Sequence, residues 1–515
     1  MRHPLPNQLA NVSGETVVEL NQQFEWLRTA AGAYHSPEEV DKNSGFLPAI
    51  VPGTVAMLVD NPSELANLDA NDHWYRTQFT AMQSPRVLLH LDGLLTFADV
   101  YLNGVLILQS YNAYHVHVLD ITQLLQQENT LHICFRAIKP FYSAKKPRAK
   151  YITRLANERH LRFVRTPLLG YTPGFSAATK AVGPYRPIRL IHQEKWTVLS
   201  SQVNAQLLDE QTGLLSVNLQ LHTIQSPLTH GFVVLFDAAN QKEVKRAPLT
   251  ITQDDAGLWA LNAQLTANQI CAYWPHTHGE PKRYQVLLAL ADGEINLGAY
   301  GFRRIERISP DHFALRINGI PMFLRGACWT PMHATSLFVS AEALRERLGL
   351  LKEMGINMLR VPGNMLYESD DFYALCDELG ILIYQEFAFS NYDYPHEDVD
   401  FVNSVQKEAT DFLSTHGGRP CLTVISGGSE VAQQASMMGL AIGETDNPIF
   451  TEHLPKIVGQ LAPNVLYTTS SPYSSKGLPF HAGDGPCNYH GVGGYLRSFE
   501  DARAFSGRFI AECLP

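Results

Sequence analysis

Two short apolar runs in this 515-residue chain end on a glutamate, Leu422-Thr-Val-Ile-Ser-Gly-Gly-Ser-Glu430 and Arg508-Phe-Ile-Ala-Glu512. Carboxyl groups at the ends of two buried strands can share a double displacement at an acetal carbon. One serves as acid and base, the other as nucleophile. The proton donor needs a pKa raised by burial and by nearby negative charge, whereas the nucleophile needs hydrogen-bond donors and a cation beside it.

The elements that must position these groups change along the chain. Residues 1–195 carry short alternating runs such as Val87-Leu-Leu-His-Leu-Asp-Gly93 and Ala98-Asp-Val-Tyr-Leu-Asn-Gly-Val-Leu106, the pattern of a β-sandwich. Asn103-Gly104 marks a hairpin turn, because both residues tolerate positive φ. Residues 196–306 continue with Leu214-Leu-Ser-Val-Asn-Leu-Gln-Leu-His222 and His230-Gly-Phe-Val-Val-Leu-Phe236, of a length suited to an immunoglobulin-like sandwich.

From 307 to 515 strand and helix alternate. Pro321–Ala327, Asn357–Val361, Ile381–Phe387, Leu422–Ile425, Val465–Thr469, Cys487–Val492 and Arg508–Glu512 read as seven parallel strands. Ser340 is a suitable N-cap for a helix to Met354, and Gly380 should end another that starts at Asp370. The expected fold class is therefore multidomain β plus α/β: a jelly-roll-like sandwich, an immunoglobulin-like sandwich, then a (β/α)8 TIM barrel lacking its last strand. Active groups of such barrels lie at the C-terminal ends of the strands, where Glu430 and Glu512 would face each other at about 5 to 5.5 Å.

Composition restricts the ligand. With 45% hydrophobic and 17% charged residues the chain is an ordinary globular one, and its formal charge of −10 argues against nucleic acid. No apolar run approaches a membrane span and Met1–Ser13 has no signal-like apolar stretch, so the cytoplasm is the expected compartment. Seven cysteines without a C-x-x-C pair read as reduced thiols. His115-Val-His117 and His276-Thr-His278 could each present two imidazoles on one strand face, but no further ligand set completes a metal site, and no metal is expected.

Several ordered stretches carry a resemblance: Val51-Pro-Gly-Thr-Val55, His73-Trp-Tyr-Arg-Thr-Gln-Phe79, Gly183-Pro-Tyr-Arg-Pro-Ile-Arg-Leu190, Ile317-Asn-Gly-Ile-Pro-Met-Phe-Leu-Arg-Gly-Ala-Cys-Trp329, Gly355-Ile-Asn-Met-Leu-Arg-Val361 and Phe372 to Phe387. From about residue 45 onward the chain resembles glycoside hydrolase family 2, nearest its β-mannosidase and exo-β-glucosaminidase branch. The resemblance implies a retaining exo-β-glycosidase that needs no cofactor and acts on a β-linked oligosaccharide or glycoside, with β-mannosidase the best single name. Glucosaminide, galactoside and glucuronide stand behind mannoside, and oligomeric state stays open.

Carried over residue by residue, Glu430 matches the family's acid/base, Glu512 its nucleophile, and Arg360 an arginine beside the nucleophile. Tyr489 and His490 are the expected further donors. Ser429 stands where the family usually has Asn, and Pro362-Gly363-Asn364 where a Trp follows the Arg-Val pair, with Asn364 a candidate sugar contact. The family's Trp-Asp-Trp-Gly-Pro segment is replaced by Tyr171-Thr-Pro-Gly-Phe-Ser176, which changes the groups available to sugar hydroxyls. Trp329 could floor the sugar or pack the barrel top. Glu386 is expected to bind substrate, since an unpaired buried carboxylate would be costly. Cys328, Cys421 and Cys513 are expected to fill small apolar spaces.

The alternative from another class is a catalytically silent carbohydrate-binding protein, or an inactive fragment of such an enzyme. A barrel without its eighth strand exposes two strand edges. A 515-residue chain is accordingly expected to be poorly soluble or inactive, and to be rescued by a C-terminal extension.

Overall fold

The computed structural model describes residues 12–309, 312–441 and 443–513. It is a β-rich multidomain fold. Two antiparallel sheets form its first layer pair. One has six strands, including Phe24–Ala30, Asn71–Phe79, Asn129–Arg136 and Phe97–Leu102; the other contains Glu15–Glu19, Ile188–Gln193, Arg86–Leu91 and His117–Asp120. Period-two alternation turns Val87, Leu89 and Leu91 of one sheet toward Val100, Leu131 and Ile133 of the other, and these share one core. Leu102 pairs with Val105 across Asn103-Gly104, whose φ values of 52° and 82° are what this two-residue turn requires.

A second pair of four-stranded antiparallel sheets follows, built around Trp196–Leu207 with Gly213–Thr223, and Gly231–Asp237 with Tyr284–Leu290. Leu215, Val217, Leu219 and Leu221 occupy every second position and pack in one cluster with Val233, Leu235, Val286 and Leu288.

Beyond it lies a five-stranded parallel sheet, in chain order Gly326–Cys328, Met358–Val361, Leu382–Glu386, Leu422–Ser426 and Leu466–Thr468, and a separate parallel pair, Cys487–Tyr489 with Ile510–Cys513. The three central strands are buried along their whole length, the mark of a parallel sheet covered on both faces. The first strand begins at Gly326; Pro321 sits instead in the antiparallel pairing of Ile320–Pro321 with His312–Ile317. Among the described residues no ladder joins Leu466–Thr468 to Cys487–Tyr489. The intervening stretch, with Pro472, Pro479 and Gly477, Gly483 and Gly485, is poor in strand formers.

Between strands run helices Ala341–Glu353, Asp370–Leu379, Val399–His416, Val431–Met437 and Leu454–Leu461. Ser340 and Ser369 cap two of them through their hydroxyls, and Gly380 ends Asp370–Leu379 at φ 72°. No helix among the described residues is long and apolar enough to cross a membrane.

Buried charges tie the sandwiches to this region. Arg165 donates to both oxygens of Glu408 (2.9 and 2.6 Å), and Glu408 also accepts from Asn112 (3.1 Å) and Tyr367 (2.8 Å). Arg303 leaves the second sandwich and donates to the carbonyls of Pro420 (2.5 Å), Arg419 (3.2 Å) and Asn464 (3.2 Å), and to that of Leu422. Glu408→Ala leaves Arg165 as an uncompensated buried charge and should lower stability by about 3–5 kcal/mol. A urea or thermal midpoint equal to wild type would contradict this account of the interface.

Candidate active site

The strand Leu422–Ser426 is followed by Gly427-Gly428, and both glycines are required by space. A Cβ on Gly427 would lie 2.2 Å from the Thr469 carbonyl oxygen, and one on Gly428 2.9 Å from the Phe389 Cβ. This tight passage delivers Glu430 to the N-cap of Val431–Met437 with φ 55°, an uncommon conformation for a glutamate. Its amide donates to the Ser471 carbonyl at 2.8 Å, so the backbone is fixed.

Glu430 Oε1 accepts from Asn488 Nδ2 and Oε2 accepts from Gln434 Nε2, each at 3.2 Å. His490 Nε2 lies 4.0 Å from Glu430 Oε1. Burial raises the Glu430 pKa above its ordinary value, and the charge of Glu512 adds to that; Gln434, His490 and Arg360 pull the other way.

Arg360, buried on Met358–Val361, gathers the remaining groups. It donates to Glu512 Oε2 (3.1 Å), Glu386 Oε1 (2.9 Å) and the Ser429 hydroxyl (3.2 Å), and its Nη1 lies 3.4 Å from Cys328 Sγ. Burial alone would lower its pKa, but the negative charges of Glu386 and Glu512 outweigh that and raise it well above the ordinary arginine value. One ligand-type atom each from Glu430, His490 and Glu512 lies within 4.8 Å of the others, the one such group of three among the described residues. The fixed guanidinium against Glu512 opposes a cation there. The imidazoles of His115 and His276 are taken by the carbonyls of Ser404 and Ile356, and among the described residues neither H-x-H pair gathers a third ligand.

The structure thus brings Glu430, Glu512, Arg360, Glu386, Ser429 and His490 into one cluster. Glu386 is wholly buried, and its second oxygen accepts from the Gly363 amide (2.8 Å), so it supports Arg360 and does not face the opening. His490 stands beside Glu430 and also within reach of Glu512. Asn364 is half-buried on the turn after the Arg360 strand, with its carbonyl accepting from the Leu168 amide (3.1 Å). Trp329 is packed at 5.0 Å against Phe372, with Nε1 donating to Glu368 (2.8 Å).

Tyr489 departs from expectation: its hydroxyl donates to Asp501 (2.7 Å) and its ring packs on Phe505. The cause is strand parity. In the parallel register Asn488 lies opposite Glu512 and Tyr489 opposite Cys513, so Asn488 takes the face turned to the cluster. Asn488, Gln434 and Cys328 were not foreseen as site residues; the i, i+4 spacing of Gln434 from Glu430 on a helix was the available signal. Cys421 is buried as expected, but Cys328 and Cys513 are exposed because they lie on the open edges of Gly326–Cys328 and Ile510–Cys513.

Residues 50–186 match a family model described as glycosyl hydrolase 2 galactose-binding domain-like. β-Mannosidase B of Aspergillus oryzae is 29% identical over 429 residues, covering 78% of this chain and 50% of that protein. β-Mannosidase of Rattus norvegicus is 26% identical over 426 residues, covering 75% and 47% respectively. The chain spans about half the length of the curated relatives it matches. Among solved structures, a β-D-mannosidase from Dictyoglomus thermophilum superposes with a TM-score of 0.83 at 24% identity, covering 96% of this chain and 62% of that one, a likeness of fold. In sequence the chain is thus similar to β-mannosidases, and its residues 50–186 are similar to a domain of glycosyl hydrolase family 2.

A carboxyl whose folded pKa is raised binds protons more tightly in the folded state. It therefore costs stability as pH rises from the unfolded value, 4.5 for Glu430, through the folded one. Glu430→Gln removes that cost. The variant should melt higher than wild type at neutral pH, with the gap closing as pH falls below the ordinary carboxylate range; a constant gap across pH would refute the assignment.

Proposed function

We propose that this chain carries the catalytic groups of a retaining exo-β-glycosidase, with a terminal β-mannoside as substrate. Glu430 donates its proton to the glycosidic oxygen while Glu512 attacks the anomeric carbon, and the aglycone leaves as an alcohol. Glu430, now a carboxylate, takes a proton from water. That water attacks the same carbon, displaces Glu512 and releases the sugar with its original anomeric configuration.

The observation that carries this reading is the approach of the two carboxylates, oxygen to oxygen within 4.8 Å. Inversion needs about 6.5–9.5 Å between carboxyl groups to admit a water, whereas double displacement needs about 5–5.5 Å. The burial-raised pKa of Glu430 suits a proton donor, and Arg360 offers Glu512 a hydrogen bond and a positive charge on the attacking side. In this reading His490 and Asn364 meet sugar hydroxyls, while Ser429 and Glu386 hold Arg360 through their hydrogen bonds to it. Mannose is favoured by the curated relatives' names.

In the same reading the architecture is a jelly-roll-like sandwich over residues 1–195, an immunoglobulin-like sandwich over 196–306, and a (β/α)8 barrel from 307 that lacks its last strand among the described residues. Its parallel strands would then place both carboxylates at the mouth formed by their C-terminal ends.

The test is turnover of aryl β-glycosides, with mannoside beside glucosaminide, galactoside and glucuronide, by the chain as it stands and by a C-terminally extended form. Glu430→Gln should lower kcat/KM by about 10²–10⁴-fold, the range of one general acid. Glu512→Gln should abolish turnover, and the released sugar should keep the β configuration at first appearance by NMR. Inverted product, or full activity in Glu512→Gln, would overturn the assignment.

A further inference from the structure

We infer that Thr153, on the long loop of the first sandwich, is a positioning residue for Glu430, acting by fixing which way the Gln434 side-chain amide faces. This inference rests on the reading of Glu430 as acid and base.

The chain of donors has one consistent direction. The Leu155 amide donates to Thr153 Oγ1 at 3.1 Å, and Thr153 Oγ1 gives its single proton to Gln434 Oε1 at 3.2 Å. With its oxygen engaged, Gln434 turns its NH₂ to Glu430 Oε2 at 3.2 Å. Thr153 and Gln434 are 5% and 3% exposed, so water does not compete for these groups. The loop is anchored just before the threonine. Tyr151 Oη donates to the Val431 carbonyl (3.3 Å) at the start of the same helix, and the Lys150 amide donates to Asp393 (2.7 Å).

A hydrogen bond donated to the charged form of a carboxyl favours that form. If the hydroxyl is lost, the amide is free to turn its oxygen toward Glu430 and accept a proton from it, which favours the protonated acid. The titratable groups acting on Glu430 are Glu512, His490 and Arg360, from three other segments, and the Thr153 hydroxyl bonds instead to Gln434 and the Leu155 amide. A change confined to Thr153 therefore reports the amide.

Two readouts test this, one independent of turnover. The first is the basic limb of the kcat/KM profile against pH on the aryl glycoside that wild type hydrolyses. The second is the pH dependence of carbodiimide coupling to Glu430, which requires the protonated carboxyl and is read by peptide mass spectrometry. Thr153→Val should move the Glu430 midpoint up by about one pH unit, the size of one lost hydrogen bond to a charged acceptor. Thr153→Ser should restore the wild-type midpoint. Gln434→Met, which removes the amide without touching the loop, should also move it up, so misfolding of one variant does not decide the matter. Midpoints in Thr153→Val and Gln434→Met that coincide with wild type, or an equal shift in Thr153→Ser, would overturn the inference. A wild-type chain that turns over no glycoside while the coupling midpoint still shifts would overturn the glycosidase reading and leave the role of Thr153 standing.

Discussion

A buried guanidinium cannot be left uncompensated, and around Arg360 that constraint determines where five segments end. Its donors reach Glu386 on the next strand, Ser429 after the strand beyond, and Glu512 on the last described strand, while Cys328 lies against it from the strand before. Desolvating such a charge costs several kcal/mol, which close anionic partners and well-placed hydrogen-bond acceptors offset. Glu386 is the fixed member, wholly buried and held by the Gly363 amide. Glu512, partly exposed, is the one able to meet something from outside. The difference in exposure between two carboxylates on one arginine separates a structural role from a chemical one.

The same logic extends outward. Arg165 with Glu408 on the helix Val399–His416, and Arg303 with four carbonyls at the base of the Leu422–Ser426 region, are buried charges placed where a sandwich meets the parallel-sheet region. Apolar packing alone would tolerate some sliding of one layer on another, whereas an ion satisfied by several fixed acceptors tolerates little. The loop that carries Thr153 benefits directly, since Arg165 follows it in the chain and Glu408 holds the Tyr367 hydroxyl, which accepts from the Ala388 amide. Precision at Glu430 is thus inherited from contacts made far from it.

Much of this was legible in the sequence, for identifiable reasons. Helix ends could be read because Ser340 and Gly380 are local signals, satisfied within one turn. The strands that hold Arg360 and precede Glu430 could be read because buried parallel strands are continuous apolar runs. Tyr489 was misplaced because sequence does not reveal which of two alternating faces meets the cluster; that depends on a register set by Ile510–Cys513. Pro321 was misplaced because Ile320–Pro321 is apolar yet pairs backward, across the Asn318-Gly319 turn. Thr153 was invisible altogether: its partner lies 281 positions away, and nothing local in a polar loop marks such a contact.

Glu430 shows why the backbone around an acid and base is costly to build. Its positive φ is disfavoured for any residue with a Cβ, and the two glycines before it forgo side chains that could have been buried. The strain is held by its amide to Ser471, by Ser429 to Arg360, and by the helix it starts. A glutamate at the end of an unbroken helix or strand would avoid all of this. It would also have freedom to turn toward water, where its pKa would relax to the ordinary value. Holding the carboxyl over a buried floor, beside a second negative charge, raises its proton affinity; fixing it by the backbone keeps that affinity from being lost through a change of rotamer.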